Sequence, residues 1–315
     1  MLSLQQSVVQ EVHFSPLKKY DIQLFIKRDD LIHAEVSGNK WRKLKYNIAY
    51  AQEAKLNGIL TFGGAFSNHL VATAAACQME GLKSFGIVRG EELHASSNET
   101  LKRCQDYGME LLFVSRAKYA ERYERPYLEE FKAQFPGFHI VPEGGANYYG
   151  MIGCQEILNE TENNYDIIVV AQGTTTTSCG ILMGLNERTR LWVFPALKGY
   201  DSEGEMRQLM RNATLEGEWI NELMGQVDVF SDFHFGGYAQ VTDELMDFIA
   251  HFYKETKVPL DPVYTAKAMC GLVKAVEDGN IRDKRILFIH TGGLQGIKGI
   301  NKVRLKKNKE LLKYV

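Results

Sequence analysis

Five short windows combine residue types that can do chemistry with positions that can aim them. In SGNKWRKLKY (37–46) a turn holding Gly38 and Asn39 leads into a basic amphipathic helix. A lysine at a helix start stands where the macrodipole disfavours an ammonium. That field lowers the pKa of Lys40, and a depressed amine is what a Schiff-base lysine needs. Taken alone, the window reads better as a solvated surface lysine among Arg42, Lys43 and Lys45.

In TFGGAFSNHL (61–70) a strand runs into Gly63-Gly64 and Ser67-Asn68 opens a helix. Backbone N–H groups and a serine hydroxyl at such a point can take an anion, although a simple N-cap is the plainer account. Asn68 and His69 also stand at the carboxyl end of a strand, where open α/β sheets place ligands. In VVAQGTTTTSCGIL (169–182) a buried strand ends in Gly173, and Thr174, Thr175, Thr176 and Thr177 lead into a helix. Four hydroxyls and backbone donors at a positive helix terminus can hold a phosphate dianion without Lys or Arg. The loop lacks the GK[ST] of a P-loop. DPVYTAKA (261–268) puts Tyr264-Thr265 at a helix start, and FIHTGGLQGI (288–297) is a strand ending in His-Thr-Gly-Gly. Each of these two is weak alone.

Short apolar runs and longer amphipathic ones alternate along the chain and must position these windows. Residues 58–64, 84–88, 110–114, 138–141, 166–171, 191–196, 228–233 and 285–290 read as buried strands. Helical patterns lie between them, with Gly58, Gly81 and Gly108 as stop signals. Strands that are apolar throughout suit parallel sheets covered on both faces, so the chain is α/β and doubly wound.

The 315 residues exceed what one core usually supports, which predicts two domains. With 37 basic and 39 acidic residues the net charge is -2, which argues against a nucleic-acid or membrane-surface partner. Five scattered cysteines without a CxxC pair read as buried reduced thiols, and the N-terminus carries no signal-peptide pattern; a cytoplasmic protein is expected.

Taken in order, SGNK-x-RKL, GGAFSNH, the G-T-T-T-T loop, HFGGYA, DPVYT and HTGG resemble the 1-aminocyclopropane-1-carboxylate (ACC) deaminase/D-cysteine desulfhydrase family. The resemblance spans roughly residues 25 to 298, with SGNK and SNH its specific pieces. It implies the tryptophan-synthase β-like fold (fold type II) and the cofactor pyridoxal 5′-phosphate. It further implies a large domain from residues 1–47 and 157–315, a small inserted α/β domain over 48–156, and a homodimer. Lys40 matches the lysine that carries the cofactor, and Asn68 the asparagine beside its ring. Ser67 and the backbone around His69 match the groups receiving the substrate carboxylate. Gly173 and Thr174 to Thr177 match the phosphate cradle, and Thr265 the partner of the pyridine nitrogen. Tyr238 and Tyr264 match tyrosines facing the substrate. The chain departs from the family in carrying Thr175 and Thr176 where glycine or alanine is usual, and Ala65-Phe66 where relatives have Ile-Gln.

Two positions bear on substrate. ACC deaminases of this kind have Glu after the DPVY tyrosine and Leu between His and Gly-Gly; desulfhydrases have small hydroxyl residues, as here with Thr265 and Thr291. A carboxylate would keep the pyridine nitrogen protonated, whereas a neutral threonine leaves it unprotonated and the electron sink weaker. Elimination of thiolate from D-cysteine tolerates that better than opening a cyclopropane. The expectation is a D-cysteine desulfhydrase that releases pyruvate, ammonia and hydrogen sulfide. An ACC deaminase, and a non-catalytic protein binding the cofactor or a phosphate ligand, are the alternatives.

Overall fold

A computed structural model describes residues 7–162 and 164–312 of the chain. Its ten strands form two sheets. The larger contains β1 (Val9–Val12), β2 (Gln23–Lys27), β7 (Ile167–Gln172), β8 (Arg190–Pro195), β9 (Val227–Val229) and β10 (Arg285–Ile289), in the order β1-β2-β10-β7-β8-β9. The smaller contains β3 (Gly58–Gly64), β4 (Lys83–Arg89), β5 (Met109–Val114) and β6 (Phe138–Val141), in the order β5-β4-β3-β6. Every pairing is parallel except that of the edge strand β1 with β2.

The apolar runs explain the interior. Residues 167–172 are buried without interruption, as a central parallel strand covered by helices on both faces must be. One apolar cluster packs one face of the large sheet around Ile26, Val169 and Phe288, and a second packs the other around Val170, Leu191 and Ile289. The small sheet has its own clusters, such as Leu60 and Phe62 with Tyr119, Tyr127 and Phe131. All five cysteines are free, and four of them are buried.

Three sequence expectations need correction. The run 228–233 keeps only the strand Val227–Val229, because the chain then turns through residues 231–236. The strand β1 carries polar residues at its two central positions and β2 at both ends, and the apolar-run criterion passed over them. Gly58 does not stop the preceding helix, which ends at Glu53 and turns through Lys55 at φ 53°. It opens β3, where a Cβ would stand 2.0 Å from the Lys83 carbonyl oxygen. It is glycine because two strands approach there.

Two helices join the sheets, Asn39–Glu53 and Tyr148–Asn159. They touch so closely that a Cβ on Gly153 would lie 1.9 Å from the Arg42 carbonyl oxygen. The positions 47/48 and 156/157 fall inside these helices rather than in linkers. The joint is fastened by a buried ion pair, Arg42 Nη2 to Asp29 Oδ1 at 2.9 Å, with Glu160 on the same guanidinium. Among the described residues no helix is long and apolar enough to cross a membrane.

Candidate active site

The chain crosses from the large sheet into the Asn39–Glu53 helix at Gly38. Its φ of 61° is left-handed, and a Cβ there would stand 2.0 Å from the Thr291 carbonyl oxygen. That carbonyl accepts the Asn39 N–H at 3.2 Å, so the His-Thr-Gly-Gly turn after β10 fixes the first turn of the lysine helix. Asn39 Nδ2 in turn donates to Thr177 Oγ1 at 2.9 Å, tying the same turn to the threonine loop. Three windows far apart in sequence thus meet around Lys40.

Lys40 is partly covered, and its Nζ donates to Asn39 Oδ1 at 3.2 Å. The surrounding protein desolvates the ammonium and the Lys43 charge repels it, which together lower its pKa to about 7. Lys43 follows one helical turn later, is almost wholly buried, and donates to Thr174 Oγ1 at 3.1 Å. Its pKa also falls, to about 8, chiefly by burial. Neither amine has a carboxylate ion-pair partner among the described residues. Two desolvated cations without a counter-charge make a place for an anion.

The threonine loop stands beside them. Thr176 and Thr177 open the helix Thr176–Met183, with Thr175 at the N-cap in ordinary helical dihedrals (φ −73°, ψ −9°), so the backbone accepts a threonine where the family resemblance implies glycine or alanine. Thr174 Oγ1 lies 3.4 Å from Thr176 Oγ1. Facing the loop are Gly144 and Gly145, both at positive φ; a Cβ would stand 2.6 Å from Thr174 on the first and 3.0 Å from Lys43 on the second. A helix N-terminus, clustered hydroxyls, a buried ammonium and two bare glycines fit a phosphate dianion.

Ser67 caps the helix Asn68–Met79 by accepting Leu70 N–H at 3.3 Å, and Asn68 occupies its first position, half-buried. His69 is buried, and its Nε2 lies 2.9 Å from Thr61 Oγ1. Because that hydroxyl donates to the Val141 carbonyl at 2.7 Å, it can only accept from the imidazole. The proton is therefore assigned to Nε2, and Nδ1 is a buried acceptor without a hydrogen-bond partner among the described residues. Burial and the charges of Lys40 and Lys43 hold the ring's pKa well below the usual histidine value. It stays neutral. Phe66, at the position where the family resemblance leads one to expect Gln, is 70% exposed.

On the opposite wall, Tyr264 packs over Gly173, where a Cβ would stand 2.9 Å from the ring. Tyr238 meets Tyr264 edge-on, ring centres 6.1 Å apart, and is itself 49% exposed. Thr265 is fully buried and its hydroxyl donates to Asp261 Oδ2 at 2.8 Å. The expectation of an isolated neutral threonine needs amending, because a buried carboxylate stands directly behind it. Thr291 is buried at the edge of the lysine turn.

Sequence reasoning missed two residues. Lys43 was set among surface lysines, although its spacing of three from Lys40 on a helix puts both on one side. Asp261 lies in the DPVY window without an assigned role, although an Asp four residues ahead of a Thr at a helix start is a capping pattern.

Residues 9–292 match the family model described as pyridoxal-phosphate dependent enzyme. A protein of Pyrococcus horikoshii provisionally named 1-aminocyclopropane-1-carboxylate deaminase is 32% identical over 285 residues, covering 87% of this chain and 85% of that one. A mitochondrial Arabidopsis thaliana protein named bifunctional D-cysteine desulfhydrase/1-aminocyclopropane-1-carboxylate deaminase is 30% identical over 299 residues, 87% of this chain and 73% of its own. The crystal structure of an ACC deaminase homologue superposes with a TM-score of 0.80 at 28% identity, covering 97% of this chain and 95% of that one. A serine racemase from Dictyostelium discoideum, 17% identical with a TM-score of 0.65 over 91% of this chain and 92% of its own, shares the fold. This chain belongs to the pyridoxal-phosphate-dependent enzymes, in their ACC deaminase/D-cysteine desulfhydrase family, with the fold type II architecture and pyridoxal 5′-phosphate as its cofactor.

Proposed function

We propose that the protein is a D-cysteine desulfhydrase, converting D-cysteine and water to pyruvate, ammonia and hydrogen sulfide. The observation that carries the reading is the Lys40 amine, only partly covered and with its pKa lowered to about 7. When bound, pyridoxal phosphate supplies an electron sink for charge developing at the substrate Cα. Lys40 is the residue that holds it, and Lys40 Nζ then takes the Cα proton as general base. Lys43, Gly173 and Thr174 to Thr177 hold the phosphate. Asn68 would stand beside the ring, and Thr265 would be the partner of its nitrogen. Ser67 and the His69 amide receive the substrate carboxylate, while the neutral His69 ring adds no charge to compete for it. Tyr238 and Tyr264 close the substrate side, with Thr291 at its edge.

A second reading, ACC deaminase, is favoured by one observation. The Asp261 carboxylate behind Thr265 supplies the charge that the threonine alone lacks, so the electron-sink argument against ring opening loses force.

The reading extends to a homodimer in the cytosol, where the free thiols stay reduced. It also extends to a division into a large domain (1–47 and 157–315) and an inserted one (48–156).

The test is to assay sulfide and pyruvate with D-cysteine, and 2-oxobutanoate with ACC, alongside the visible spectrum. Sulfide and pyruvate in equal amounts support the first reading; 2-oxobutanoate alone supports the second. A cofactor band with neither product would refute both.

A further inference from the structure

We propose that Lys267 is a positioning residue that fastens the Tyr238 loop to the rim of the active site. The inference rests on the reading of Tyr238 as a substrate-facing residue, but its structural half stands alone. Lys267 is buried in the first turn of the helix Thr265–Asp278, where both desolvation and the macrodipole disfavour an ammonium. It makes no ion pair among the described residues. Instead its Nζ donates to the carbonyl oxygens of His234 at 2.8 Å and Gly237 at 2.7 Å.

Those carbonyls belong to a segment that is unfavourable by itself. Phe235, Gly236, Gly237 and Ala239 all have positive φ, of 51°, 94°, 117° and 56°. Positive φ on a phenylalanine and an alanine persists only where the surroundings impose it. The Gly237 N–H turns back to the His234 carbonyl at 3.0 Å, and the Gln240 N–H to the Gly237 carbonyl at 3.2 Å. Each carbonyl that closes the loop thus also receives the lysine. Tyr238 is the next residue, half-exposed and meeting Tyr264 edge-on. One helix start therefore presents Tyr264 to Gly173, Thr265 to Asp261, and Lys267 to the loop that delivers Tyr238.

The experiment compares amide hydrogen exchange over residues 234–240 in wild-type holoenzyme and in Lys267→Met, without substrate. Exchange at Gly237 and Gln240 is expected to rise at least tenfold while the visible cofactor band is unchanged. With D-cysteine, KM should rise more than kcat falls, and in a Tyr238→Phe background Lys267→Met should add less than twofold. If Lys267→Met does not fold, Lys267→Gln, which keeps a donor, carries the same comparison with a smaller rise. Unchanged exchange in a folded variant overturns the anchor. Faster exchange with fully multiplicative kinetic effects overturns the link to Tyr238. Faster exchange in an enzyme inactive on D-cysteine upholds the anchor and counts against the functional reading instead.

Discussion

Asp261 and Thr265 are joined by three hydrogen bonds of 2.8 Å. The Thr265 hydroxyl donates to Asp261 Oδ2 at 2.8 Å and accepts the Asp261 N–H at 2.8 Å, and the Thr265 N–H donates to the same Oδ2 at 2.8 Å. The N–H groups of Val263 and Tyr264 complete the set on Oδ1, each at 2.9 Å. The hydroxyl proton is committed, so this oxygen can offer a ring nitrogen only a lone pair. A lone pair backed by a carboxylate favours a protonated ring, the opposite of what a free threonine would do.

Asp261→Asn tests this. The variant keeps the size of the side chain but sets an amide donor against N–H groups. A loss of about 1–3 kcal/mol in stability is expected, as for an unsatisfied buried group. Activity on ACC should fall further than activity on D-cysteine, because ring opening depends more on the sink. Equal losses on both substrates would show that the carboxylate acts on folding alone. Thermal melts and paired initial rates decide.

Lys43 should hold the cofactor through its phosphate. Lys43→Met is expected to weaken binding by about 1.5–3 kcal/mol, roughly ten- to a hundredfold in Kd. The control is pyridoxal, which lacks the phosphate and should bind wild type and variant alike. Titration of apoenzyme by visible absorption measures both. A variant that lost affinity for both compounds equally would place Lys43 elsewhere.

These two residues mark the limits of what the sequence carries. Lys40, Asn68 and Thr174 to Thr177 were legible because each sits at a strand end or helix start, and those junctions announce themselves through Gly, Ser and Thr. The parallel sheets were legible for a similar reason, since residues 167–171 are apolar at every position. Lys43 was not, because a lysine in a basic helix looks the same buried or solvated until the glycine at 145 is seen to close over it. Asp261 hid for another reason. Its partner is local, but the burial that makes the pair consequential comes from packing around the helix Thr265–Asp278. The tautomer of His69 depends on Thr61 and on the carbonyl of Val141, 72 residues further on than His69, a relation that no spacing rule exposes.

The ion pair that carries the lysine helix should set the acid limit of the fold. Arg42 is buried between Asp29 and Glu160. Removing the guanidinium in Arg42→Met strands a buried carboxylate, at an expected cost of about 3–5 kcal/mol. Burial pushes the Glu160 carboxyl up, but hydrogen bonds from Arg42 and Lys27 more than offset it and hold the group below the usual range. A depressed carboxyl contributes stability that is present above the unfolded value of 4.5 and is lost as pH falls through the folded one. Glu160→Gln should therefore be less stable than wild type at pH 7, with the gap closing as pH falls below 4.5. Urea midpoints across pH test it, and a gap that stays constant would rule the linkage out.

Capture of the cofactor should show the depressed amine of Lys40 directly. Only the neutral amine attacks an aldehyde, and an ordinary lysine is almost wholly protonated at neutral pH. With the pKa lowered to about 7, half of the Lys40 amines are already neutral at that pH. The rate at which apoenzyme takes up pyridoxal phosphate should therefore climb with pH and level off above about 8, rather than climbing past 10. Burial is the larger cause of the shift and the Lys43 charge the smaller. Lys43→Met should then move the midpoint upward by less than the whole shift, leaving it below that of a free lysine. Stopped-flow absorbance from pH 6 to 10 reads both curves. A wild-type rate still rising steeply at pH 9 would mean that the protein does not prepare the amine, and that Lys40 is selected by position alone.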